Sequence, residues 1–240
     1  MCQYFSCIAT QDLKILWLPE KPNDHEAIKE KYNIPNETSE TQRNFVKIEI
    51  VPNTQKITRN KEDWDFQFDL DDTKMPEWAV ENKKKIEKLA WNEWEKSVKI
   101  NLVLDQERKT VTNGFIKADD SSHVIAYGSS YVETHGSSRV ETHGSSQVKA
   151  HDSSHVEAYD SSHVEAYSSS YVKAYNFSHV KAHDSSHVEA YDSSQIKAHG
   201  SSHVKAYDSS QFQIKSNTAT VIQNETLFVR TKTTVKEASP

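Results

Sequence analysis

Cysteine is scarce: Cys2 and Cys7 are the only two in 240 residues. They are spaced like neither a zinc clamp nor a CxxC redox pair, and their segment reads as a strand. Free buried thiols in a reducing cytosol are therefore expected. Long hydrophobic runs are also missing, since none approaches the roughly 20 residues that span a bilayer. The opening MCQYFSCIAT has neither the basic region nor the long apolar core of a secretory signal. A cytoplasmic protein with no membrane partner is the expectation. An excess of positive charge is lacking too. With 29 Lys and Arg against 35 Asp and Glu, the formal charge is −6. That argues against wholesale nucleic-acid binding without a local basic patch.

What is present falls into two grammars. Residues 1–112 read as a small α+β head domain. QYFSCIAT and LKILWLP are β-rich runs with a polar turn between them, and FVKIEIV and DWDFQFDL alternate apolar with polar residues. DHEAIKEKYNI reads as a helix with Asp24 as N-cap and Ala27, Ile28 and Tyr32 at helical spacing. A longer helix begins near Pro76, a favoured first-turn residue. It carries Ile86, Leu89, Ala90 and Trp94 as an apolar stripe, with Lys83, Lys84, Lys85 and Lys88 toward solvent. VKINLVLD and RKTVTNG read as a strand pair leading into the repeats.

The second grammar is an octapeptide word, repeated from Phe115 to Lys215: Ser, Ser, variable, Val, variable, Ala, variable, then mostly Asp or Gly. Period-2 alternation places the second Ser, the Val and the Ala on one face and the three variable residues on the other. One small apolar residue per word can be buried only by stacking on neighbouring words. The strict period excludes a disordered Ser-rich linker, which has no reason to keep it. The fold class is thus mainly β, a two-sided β-solenoid over residues 113–216. A Thr-rich β capping segment follows over 217–240.

Charge decides how many words make one coil. With two words per coil, the fifth positions stack as Lys117, Glu133, Lys149, Glu165, Lys181, Lys197 and as Glu141, Glu157, Lys173, Glu189, Lys205, making seven of nine neighbouring pairs opposite in sign. One word per coil gives five of nine. Opposite charges across a ladder stabilise by roughly 0.2–1 kcal/mol and like charges cost as much. A coil of 16 residues follows, with about six coils in all.

The same register sorts the seventh positions into two rows. His135, His151, His183 and His199 dominate one, and Tyr127, Tyr159, Tyr175, Tyr191 and Tyr207 the other. These rows are the candidate interaction surface, for a protein partner or for self-association into a homo-oligomer. Eleven of the twelve histidines lie in the repeats, so their protonation takes the repeat charge from −4 to +7, near pH 6. Stacked imidazoles could also bind a transition metal, but strand neighbours do not converge tetrahedrally. Ice binding and DNA mimicry fit poorly, because the outward rows are bulky and their charges alternate. Elsewhere, Asp69, Asp71 and Asp72 could hold magnesium and His25 with Glu26 could act as an acid/base pair. Neither set has a nucleophile or phosphate loop beside it, so both read as a solvated loop and a helix cap. Trp78, Trp91 and Trp94 read as helix packing. No catalytic residue, cofactor or metal is expected.

MCQYFSCIAT, DHEAIKEKY and MPEWAVENKKKIEKLAW together resemble uncharacterised proteins of bacteria and their phages, in which such a head can precede words like SSHVEAYD. The resemblance implies the head-plus-solenoid organisation and a phage or prophage setting, but no activity. The expected function is a non-enzymatic rigid interaction or assembly scaffold. The alternatives are a ligand-binding or enzymatic head with the solenoid as spacer, and a His-row metal binder.

Overall fold

The structure, a computed structural model, describes residues 5–22, 24–35, 44–54, 57–69, 75–223, 226–230 and 235–238. It divides into residues 1–102 and 103–240. The first unit is built on an antiparallel sheet ordered β2-β1-β3-β4. Its strands are β1 (Phe5–Thr10), β2 (Ile15–Leu16), β3 (Phe45–Pro52) and β4 (Trp64–Asp69). Helices α1 (His25–Tyr32) and α3 (Lys83–Asn101) both pack on β1, and the short α2 (Glu77–Glu81) precedes α3. That is why β1 is buried on both faces and not alternately exposed. Asp24 caps α1 as expected, its Oδ1 accepting from the Ala27 N–H at 2.7 Å. In α3, Ile86, Ala90 and Trp94 are buried while the four lysines face solvent, and Trp94 packs edge-on against both Trp64 and Trp91. Cys7 is a free buried thiol whose pKa is pushed far up by burial and then by Glu93. Cys2 lies outside the described residues. Among the described residues no helix is long and apolar enough to cross a membrane.

The second unit is a two-sided β-solenoid of 16-residue coils. One sheet has eight strands, from Leu102–Val103 to Gln211–Ile214, and the other has ten, from Arg108–Thr112 to Val235–Ala238. Each word contributes four strand residues, and successive words alternate between the two sheets. Pairing is parallel and in register, as in Val148↔Val164 and Val156↔Val172. The second Ser, the Val and the Ala point inward, as their alternation requires, and nearly all are completely buried. There are about eight coils and not six. The difference is that Leu102–Val103, Arg108–Thr112 and Thr220–Gln223, which do not spell the word, join the same ladders. Backbone pairing is indifferent to side chains provided the inward ones fit, and Val103 and Val221 are buried with the repeat valines. Residues 103–112 are therefore part of the solenoid unit, whereas the sequence reading places them in the head.

The corners explain the rest of the word. Every eighth residue from Asp120 to Asp208 has a positive φ, between 53° and 71°. Only Gly, or Asp and Asn at modest cost, enters this region readily. Asp has a second use here. Its carboxylate reaches back one coil to the N–H of the previous eighth residue, as from Asp160 to Gly144 (2.9 Å), Asp184 to Ser168 (3.0 Å) and Asp192 to Asn176 (2.9 Å). The second Ser turns its hydroxyl to the carbonyl three residues back, as Ser138 does to His135 and Ser146 to His143, both at 2.8 Å. The serine hydroxyls thus act mostly as corner locks, although those of Ser122 and Ser138 also meet at 3.1 Å. At the far end, Thr226–Arg230 turns back antiparallel on Thr220–Gln223, and Val235–Ala238 follows it. This reversal ends the parallel stacking of the ten-stranded sheet. Phe212 packs there on Phe228 with ring centroids 5.1 Å apart.

Asp184→Ala should destabilise the solenoid by about 1–2 kcal/mol, because alanine is strained at this φ and cannot cap Ser168. Asp184→Gly should cost clearly less, since glycine removes the strain and loses only the hydrogen bond. Chemical denaturation of the two variants checks the ranking; equal losses would contradict it.

Candidate functional site

Rigid ladders carry the outward residues into straight rows, and the rows differ in what they expose. At the seventh position the rings stack face to face. His135, His151, Tyr167, His183 and His199 form one file, with centroids 4.8–5.0 Å apart and planes within 12°. Tyr127, His143, Tyr159, Tyr175, Tyr191 and Tyr207 form the other, at 4.9–5.0 Å. Stacking hides the ring faces and leaves edges and polar atoms to solvent. Many of those polar atoms are engaged already: Tyr159, Tyr167 and Tyr191 each donate to the glutamate two residues before, at 3.0–3.1 Å. The predicted rows are real files, but they present edges and not broad aromatic area. Phe177 replaces a first-position Ser in the Tyr-rich corner and is 64% exposed.

The third and fifth positions make the deeper feature. On the outer face of the eight-stranded sheet they border a groove of about 860 Å³. Tyr131, Gln147, His163, His179, Gln195 and Gln211 stand along one side, and Lys149, Glu165, Lys181, Lys197 and Gln213 along the other. His163 and His179 stack at 4.8 Å, and the buried Nδ1 of His179 has no hydrogen-bond partner among the described residues. The charge ladder is as the alternation requires, with Lys181 Nζ on Glu165 Oε1 at 2.7 Å. Beyond that pair it fails: Lys197 stands between Lys181 and Gln213. With Lys215, His183 and His199 on the neighbouring row, this end of the face is basic. Burial first, and then the charges of His183, Lys215, Lys181 and Lys197, lower the pKa of His199. A smaller hollow of about 330 Å³ on the ten-stranded face is lined by Arg139, His155, Glu157, Tyr171 and Lys173. Sequence reasoning ordered the fifth-position charges but not the third-position row, and it missed the groove, because its depth depends on how far the long side chains lean apart.

Two mixed clusters stand out. In the solenoid, Glu133 accepts from His135 Nε2 at 3.2 Å and faces Lys117 Nζ at 3.6 Å, with His151 stacked beyond. Burial alone would raise the Glu133 pKa, but the His135 hydrogen bond and the Lys117 charge outweigh it and bring it from 4.5 to about 2. Burial and then His135 lower the pKa of His151. One ligand atom from each of Glu133, His135 and His151 lies within 4.8 Å of the other two, but the parallel stacking of the two rings suits a tetrahedral ion poorly. In the head, His25 and Glu26 do not form the pair considered from sequence. His25 is buried, whereas Glu26 is exposed and bridges Lys29 at 2.7 Å. The partner of His25 is Asp69, its Nδ1 lying 3.3 Å from Asp69 Oδ2. Of the acidic trio, Asp71 and Asp72 lie outside the described residues. Glu49 completes the second cluster, and no sequence motif pointed to it.

A depressed carboxylate pKa means stability that is present above the unfolded value and lost as pH falls through the folded one. Glu133→Gln should therefore melt below the wild type at neutral pH. The gap should close between about pH 4.5 and 2, where the wild-type carboxylate itself protonates. Thermal unfolding across that range checks the sign.

No family model matches the chain, and neither a curated protein nor a solved structure matches it.

Proposed function

We propose that the solenoid is a rigid, non-enzymatic interaction scaffold. Its working surface is the groove on the eight-stranded face, and its ligand is an extended acidic segment of a protein partner. The observation that carries this reading is the make-up of the groove: three lysines and two histidines border it against the single carboxylate of Glu165. Coulomb complementarity then favours carboxylates, and the four glutamines along it offer donors and acceptors for a peptide backbone. Rigidity supports the same conclusion. Strands bonded on both sides in unbroken register hold the rows in place before a partner arrives, so little order remains to be imposed on binding.

The histidines make binding depend on pH. Imidazolium charge added as pH falls draws an acidic ligand more strongly, and His199 adds its share late because burial and then the nearby positive groups lower its pKa. Glu165 stays ionised, since its hydrogen bond with Lys181 lowers its pKa further than burial raises it. An acidic peptide also remains charged at pH 5.5.

A fluorescently labelled oligo-glutamate peptide should bind the full chain at low salt, more tightly at pH 5.5 than at 7.5. The double variant Lys181→Glu/Lys197→Glu should weaken binding at least about tenfold, while Arg139→Glu on the other face should leave it unchanged. Fluorescence anisotropy reads all three. Equal affinity for both variants, or weaker binding at pH 5.5, would sink the proposal.

A further inference from the structure

We infer that the head holds a divalent transition-metal site formed by His25, Glu49 and Asp69, with zinc as the best-fitting ion.

The placement starts from the helix. Asp24 caps α1, and Ile28 anchors it in a cluster with Ile8, Leu18 and Phe45. That fixes His25, the first helical residue, against the sheet with only 5% of its surface exposed. Lys47 pairs with Asp69 and Glu49 with Gln67, and residues two apart on a strand share a face. Glu49 and Asp69 therefore stand diagonally on one face. One ligand atom from each of the three residues lies within 4.8 Å of the other two.

The orientation of the imidazole is the telling feature. Its Nε2 lies 3.1 Å from the Ile48 carbonyl oxygen, which can only accept, so Nε2 carries a proton. Nδ1 is then turned to Asp69 Oδ2 at 3.3 Å. Metal-ligating histidines are held in this way, with the second nitrogen donating to a backbone carbonyl. The carboxylate has its own support, since Gln67 Nε2 donates to Glu49 Oε2 at 3.2 Å. Ligands about 2.1 Å from a tetrahedral ion stand about 3.4 Å apart, close to the Nδ1–Oδ2 separation. Nitrogen and oxygen donors without thiolate suit zinc, and three protein ligands leave a fourth position open. The rival occupant is a second proton on His25, giving a plain ion pair with Asp69. That arrangement uses one carboxylate, whereas ligand atoms of His25, Glu49 and Asp69 all converge within 4.8 Å.

The test is calorimetric titration of the full, EDTA-dialysed chain with Zn²⁺. A single tight event per chain is expected, distinct from weaker binding along the histidine files. Glu49→Gln and Asp69→Asn should each weaken it by more than about 100-fold, and Gln67→Ala by about tenfold. His135→Gln in the solenoid should leave it intact. X-ray absorption on the wild-type protein loaded with one equivalent needs no variant, and should show one imidazole and oxygen donors around zinc. A tight event that survives Glu49→Gln, one lost with His135→Gln, a shell of several imidazoles, or no tight event at all would each overturn the site.

Discussion

Parallel pairing of each word with the word sixteen residues away is the constraint on which the solenoid depends. Stacked strands sit about 4.8 Å apart, so any residue type recurring every sixteen positions becomes a continuous file. The buried valines and alanines, the stacked rings and the alternating charges are all products of that one register. A slip of one word would set Glu157 against Glu165. A slip of one residue would turn every valine outward.

The core of such a coil is thin, because Val, Ala and Ser bury little surface per residue. Order is therefore shared with the corners. The left-handed eighth residue turns the chain, its carboxylate ties one coil to the next, and the second serine closes the bend on its own carbonyl. These contacts are local or one coil apart, as in other repeat proteins where each unit touches only its neighbours. Outward residues carry less of that load, although pairs such as Lys181 with Glu165 still tie one coil to the next. The basic end of the eight-stranded face and the lone Phe177 can be read as departures from the pattern.

The two units place chemistry differently. In the solenoid the groups lie side by side in files, which suits an extended partner and disfavours convergence on one ion. In the head an anchored helix, two strands and a backbone carbonyl bring three groups from distant parts of the chain to one point. One group in the solenoid, Glu133 with His135 and His151, also brings its ligand atoms within 4.8 Å of one another, but its two rings are stacked neighbours in a file, whereas the head group is assembled from a helix and two strands.

Much of the solenoid was legible because its signal is additive: thirteen words repeat one alternation, and the charges of Lys117 through Lys197 distinguish a sixteen-residue coil from an eight-residue one. Arg108–Thr112 was not legible as a coil, since Lys109 stands opposite Val124 and hides the word. The α+β character of the head and the cap at Asp24 also lay in local pattern. The pairing of His25 with Asp69 did not, because residues 44 positions apart meet only through strand register and helix docking. The sequence by itself determined the repeat, its inward residues and its coil length, since these follow from periodicity and nearest-neighbour charge. Tertiary structure alone decided the groove, the edge-on display of the rings and the His25–Glu49–Asp69 cluster, because each depends on distances between side chains that no local pattern encodes.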